Sequence, residues 1–213
     1  MVAGTESRSL VASLLGMTVG YHRERSEGSA LFTQWPVPDA VLRSGTLSFT
    51  GHATLGTFVG TTTSVSGRLT GSADVANARG WVEAPVATLA TANNHRDRDL
   101  RASMEVDKYP TMRFDLTGVS VDSPGAPPDT VRATLLGRLT IHGVSREVSL
   151  PATLVDIGDA IEVAGDFPLD LADYRIGGLT KMLGALRMQR NIEVTFRLHF
   201  EASTHTTAGE LEP

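Results

Sequence analysis

From Ile192 to Phe200 the apolar residues fall on every second position. Ile192, Val194, Phe196, Leu198 and Phe200 alternate with Glu193, Thr195, Arg197 and His199. Only an extended chain turns a period of two into a single apolar face, so this segment must be a β-strand with one buried side. The pattern recurs. Val131, Ala133, Leu135, Gly137, Leu139 and Ile141 share a face against Arg132, Thr134, Arg138 and Thr140, with Leu136 the exception. Val148 to Leu154, Ile161 to Leu169 and Met112 to Leu116 repeat it, and Leu47/Phe49 and Val65/Leu69 give shorter versions. Turn residues separate the runs: Asp122 to Asp129 is rich in Pro and Gly, His142-Gly143 makes a tight connection, and so does Asp156 to Asp159. Alternation on nearly every strand predicts an all-β, antiparallel sheet buried on one face, closed as a sandwich or barrel.

Two segments break the pattern. Asn94 to Val106 opens on an Asn cap candidate, sets Leu100 and Met104 on one side, and places Asp97 four residues before Arg101, which predicts a short helix. Leu179, Met182, Leu183 and Leu186 recur at helical spacing and predict a second helix or lid over Leu179 to Met188. The longest apolar stretch, Leu10 to Gly20, is shorter than the roughly 20 residues that span a bilayer. It reads as a short amphipathic helix or as an atypical signal segment. Glu6 precedes it and no small-residue cleavage site follows. An outer-membrane barrel would also alternate, but it needs aromatic girdles, and aromatics are 6% of this chain.

Little in the sequence carries chemistry. No cysteine is present, so disulfides and thiolate metal sites are excluded. There is no nucleophile elbow, phosphate loop, dinucleotide fingerprint or metalloprotease motif. The histidines stand singly and read as surface or capping residues rather than metal ligands. Arg96-Asp-Arg-Asp99 reads as a solvated helix face whose charges pair with one another. The net charge of −5, with no basic run, argues against a nucleic-acid surface.

Three strings have a familiar order. FTGHATLGTFVGTTTSVSGRL (Phe49 to Leu69), RDRDLRASMEVDKYPTMRF (Arg96 to Phe114) and GRLTIHGVSREVSLP (Gly137 to Pro151) resemble the motifs of YceI-like proteins, and the resemblance extends over roughly Thr33 to Glu201. That family's S-R-x-D-[FW]-G segment appears here only as Asp173 to Gly177. The resemblance implies an elongated, lipocalin-like antiparallel barrel whose tunnel holds a polyisoprenoid or another long-chain lipid, without catalysis, and it implies export to the periplasm. Residues 1–30 are then an N-terminal tail, 31–201 the barrel domain and 202–213 a C-terminal tail.

On this reading the candidate ligand-binding residues are Phe49, Phe58, Phe114, Leu116, Leu139, Ile141, Phe167 and Phe196, with Met182, Leu183 and Leu186 from the possible lid. Small inward positions (Gly51, Gly67, Ala133, Gly137, Ala152, Gly165) either leave room between the large side chains or mark bends that close the sheet. The expected partner is an apolar lipid, with no cofactor, no metal, no nucleic acid and no stable membrane insertion; a homodimer stays open. The weak N-terminal signal favours the cytoplasm, against the family's export. An enzyme acting on an apolar substrate in the same tunnel, and a structural or stress-response module, are the alternatives.

Overall fold

The alternating segments become strands that pair antiparallel into a ring. The computed structural model describes residues 36–54, 56–124, 129–177, 180–181 and 186–203. In chain order the strands are β1 (Ala40–Ala53), β2 (Gly56–Thr62), β3 (Ser66–Thr70), β4 (Arg79–Pro85), β5 (Thr111–Pro124), β6 (Thr130–Ile141), β7 (Val144–Asp156), β8 (Ala160–Asp170), β9 (Thr180–Lys181), β10 (Leu186–Arg187) and β11 (Asn191–Ala202). A single α-helix, α1 (Asn94–Ser103), lies between β4 and β5 among the described residues. The sheet runs β11-β8-β7-β6-β5-β4-β3-β1-β2, and β11 pairs with β1 as well. Eight strands therefore close a barrel, with β2 as a ninth strand on β1. This is the all-β antiparallel closure that the alternation predicts, as a barrel rather than a sandwich, and the lipocalin-like form is the one that the resemblance implies.

On the edge away from β11, β1 serves two partners. Its first residues pair with β3 at Ala40↔Leu69 and Val41↔Arg68, and its second half pairs with β2 from Leu47↔Thr62 to Ala53↔Gly56. A register irregularity between Leu42 and Ser44 bends the strand between these two roles. The outer edge of β2 is not left bare: Thr61 and Ala90 exchange backbone hydrogen bonds of 2.9 and 3.0 Å.

Register assigns the faces. Gly67, Val82, Phe114 and Leu139 lie opposite one another across β3, β4, β5 and β6 and look inward. One step along, Arg68, Trp81, Asp115, Arg138 and Glu147 form an outward row. A charged outer row is the face of a wall that meets water, the reverse of a barrel facing lipid. No helix of the described residues is long and apolar enough to cross a membrane.

The inward glycines do something the sequence left undecided. A Cβ on Gly60 would collide with the Phe49 ring, on Gly51 with Phe58, on Gly137 with Phe114 and on Gly165 with Phe196. Phe49↔Gly60, Gly51↔Phe58 and Gly165↔Phe196 are directly opposed pairs. Each ring lies down over a neighbouring glycine, against the wall, instead of standing across the lumen. These four glycines therefore house rings rather than empty space, while Gly67 lies against the Trp81 carbonyl and Val82.

The helix expected over Asn94 to Val106 is present as α1, with its cap one residue earlier than expected: the Asn93 side chain accepts from His95 N at 3.0 Å and Arg96 N at 3.1 Å. The helix expected over Leu179 to Met188 is not what the described part of that segment forms. Thr180–Lys181 and Leu186–Arg187 are extended and pair as Leu186↔Lys181 and Arg187↔Thr180, while Met188 bridges Ala53. Helical spacing over four residues does not outweigh strand partners supplied by the fold. Leu179, Met182 and Leu183, the whole of the 1–30 tail with its Leu10–Gly20 segment, and residues 204–213 lie outside the described residues.

Candidate functional site

Two cavities are stacked along the barrel axis. The upper, about 130 Å³, is lined among others by Leu135 of β6, Ile161 and Val163 of β8, and Phe196, Leu198 and Phe200 of β11. The lower, about 120 Å³, takes Ile141 of β6, Leu169 of β8, and Ile192 and Val194 of β11, so each strand contributes to both in sequence order. Leu47, Met112, Leu139 and Phe167, from four different strands, line both and form a waist. Each volume is close to that of an engineered apolar cavity of about 150 Å³ that stays dry and accepts a small hydrocarbon.

The lining is almost wholly apolar. The upper cavity's only charged neighbour is Arg113, whose side chain is engaged on the outside. Its Nε donates to Asp115 at 2.8 Å, Nη1 lies 3.5 Å from Glu83, and the guanidinium sits 4.7 Å from the Trp81 ring. The lower cavity's one polar lining residue is Ser103. No group of three His, Cys, Asp or Glu that could hold a metal ion exists among the described residues.

The candidate residues divide cleanly. Phe49 and Ile141 line the lower cavity, Phe114, Leu116 and Phe196 the upper, and Leu139 and Phe167 the waist. Phe58 lines neither: its ring meets Phe49 edge-on at 6.0 Å and carries Arg96 at 4.3 Å, closing the wall from behind. The side chain of Leu186 lies outside the description, as do Met182 and Leu183. Sequence reasoning missed the residues from outside the long strands that close the lower cavity: Leu89, Leu100, Met104, Leu171, Ile176 and Met188. Leu100 and Met104 shared a helix face in the sequence, but nothing there said the face would close a barrel.

Two polar residues at this end differ from expectation. Asp97 is not part of a solvated charge lattice; it is buried and accepts from Thr91 N at 2.8 Å and Thr91 Oγ1 at 2.6 Å. The Thr91 hydroxyl, ahead of the opposing effect of burial, holds its carboxyl below the ordinary aspartate value. This ties α1 to the segment bridging β2. His142 is not a surface histidine. Its side chain is 11% exposed, its Nδ1 lies 3.2 Å from Tyr174 O, its Nε2 lies 3.1 Å from Glu105, and its ring packs on Tyr109.

With this geometry in place, the comparisons decide the family. A model of the YceI-like domain matches residues 41–200. The chain belongs to the YceI-like family. A search of curated proteins found no match. Among solved structures, a polyisoprenoid-binding domain from Saccharophagus degradans implicated in plant cell wall breakdown superposes with a TM-score of 0.64 at 16% identity, covering 78% of this chain and 100% of that one. Burkholderia cenocepacia BcnA gives 0.60 at 15% identity, covering 73% and 95%. A mutant Campylobacter jejuni YCEI protein with a monobromobimane guest gives 0.52 at 15%, covering 88% and 94%. At such identities the likeness shows a shared fold. In this YceI-like chain the motif residues are structural: Asp97 anchors α1, and His142-Gly143 turns β6 into β7.

Proposed function

We propose that the barrel, residues 31–201, is a non-catalytic carrier that holds a long apolar chain, polyisoprenoid or fatty-acid-like, along its axis. The observation that carries this reading is the pair of stacked apolar cavities joined at a waist. The YceI-like family and the polyisoprenoid-binding domain among its structural neighbours support it. Binding would draw on area removed from water, about 25 cal/mol per Å². A chain filling both cavities must part the waist, where Met112, unbranched and flexible, gives most readily. Catalysis would need a titratable group facing the chain, and the described lining offers only Ser103 and an externally engaged Arg113.

The test is a fluorescent fatty-acid titration of delipidated protein. Leu139→Asp places an unpartnered charge at the waist and should abolish uptake. Arg138→Asp, its outward neighbour, should leave uptake nearly intact. Circular dichroism confirms that both variants keep the strand signal. Equal loss in two folded variants would refute binding inside the barrel.

A further inference from the structure

One wall of the lower cavity is missing a strand. β7 lies between β6 and β8, yet the cavity is lined by Leu139 and Ile141 on one side, Phe167 and Leu169 on the other, and by no residue of β7. The pairing explains why. β6–β7 is registered from Thr130↔Val155 to Ile141↔Val144, and β8–β11 from Asn191↔Asp170 to Glu201↔Ala160. β7–β8 is registered only from Thr153↔Ala164 to Asp156↔Ile161. Two residues beyond that point in β7 stands Pro151, whose carbonyl still lies against Gly165, and four residues beyond it in β8 stands Pro168; neither brings an N–H to a ladder. The other short seam, β1–β3, is covered because β2 takes the rest of β1.

The gap is filled by a plug. A 3₁₀ turn, Leu171–Tyr174, follows β8, and Arg175 turns the chain back with φ of 56°. Leu171 and the buried Ile176 then complete the cavity wall. Polar contacts from β7 and its turn pin the plug. Arg146 Nε donates to Asp173 O at 2.8 Å and its Nη2 lies 3.3 Å from Asp173 Oδ1, while His142 Nδ1 lies 3.2 Å from Tyr174 O. Arg146 is directly opposite the inward Leu139, but its half-exposed side chain spans the gap instead of entering the cavity. The Arg146–Asp173 ion pair, half-exposed, contributes only about 0–1 kcal/mol; parting this seam also releases Tyr174 O from His142 and uncovers the buried Tyr174 and Ile176, but it breaks no strand ladder.

We propose that the parting between β7 and β8 is the side entrance through which the apolar chain reaches the lower cavity, with Leu171–Ile176 as its door and Arg146–Asp173 as its latch. This rests on the carrier reading above. The native chain has no cysteine, so Arg146→Cys/Asp173→Cys can be joined by a thiol-reactive linker whose spacer contains a reducible disulfide. Uptake of cis-parinaric acid by delipidated protein is followed by stopped-flow fluorescence, and circular dichroism confirms folding. The linked protein should load about tenfold slower or worse, and reductant should restore the rate of the unlinked variant. The same linker across Arg138→Cys/Glu147→Cys, on the outer face of β6 and β7, should leave the rate unchanged. Loading of the linked protein at the unlinked rate, or equal slowing by both linkers, would overturn the entrance. Failure of the parent protein to take up any chain would instead overturn the carrier reading, and the entrance with it.

Discussion

Asp97 shows how a charge can be spent on architecture. Its carboxylate is held below the usual range by Thr91, so the folded state keeps it ionised where the unfolded chain would begin to protonate it. Its contribution is therefore full above about pH 4, the unfolded aspartate value, and is lost as pH falls further. Asp97→Asn should cost about 1–2 kcal/mol at neutral pH, and urea titrations at decreasing pH should show the gap between variant and parent closing through the acid range. Gly60 makes a second test. The contacts a Cβ there would meet are all on the Phe49 ring. Gly60→Ala should push that ring toward the lower cavity, costing about 1–3 kcal/mol and lowering the affinity for a fluorescent fatty acid. Neither role was legible locally. Helical spacing put Asp97 among alternating charges, and its partner Thr91 comes from the preceding loop; each Phe–Gly pair spans two strands and is invisible until register is known.

At the scale of elements, the turn between β6 and β7 was the clearest sequence signal and is the most constrained connection. His142 and Gly143 both take left-handed conformations, with φ of 50° and 71°. A Cβ on Gly143 would also collide with the Tyr109 ring. Gly143→Val should destabilise by about 2–3 kcal/mol, since backbone strain and overpacking act together. His142→Ala should cost about 1–2 kcal/mol by releasing Tyr174 O, more than a surface histidine would. Chemical denaturation ranks the two. Strands with period two were readable because alternation is intrinsic to an extended chain. The segment near Leu179 to Met188 was not, because its short strands depend on each other and on Ala53 rather than on their own periodicity.

For the molecule as a whole, alternation and tight turns implied a closed antiparallel sheet, but they could not say whether its centre was filled. The answer depends on rings lying over glycines, on α1 closing the lower cavity and on the 171–176 turn filling the gap beside β7, all of which are tertiary. The central claim is a binding site that reads apolar length. A series of saturated fatty acids and the matching alcohols, displacing a fluorescent lipid from delipidated protein, tests it most directly. Each added methylene buried is worth about 0.8 kcal/mol, or about fourfold in Kd. The affinity should therefore climb with chain length until both cavities are full, then level off, with acids and alcohols of equal length alike. An affinity that is flat with length, or that follows the head group instead, would contradict the account.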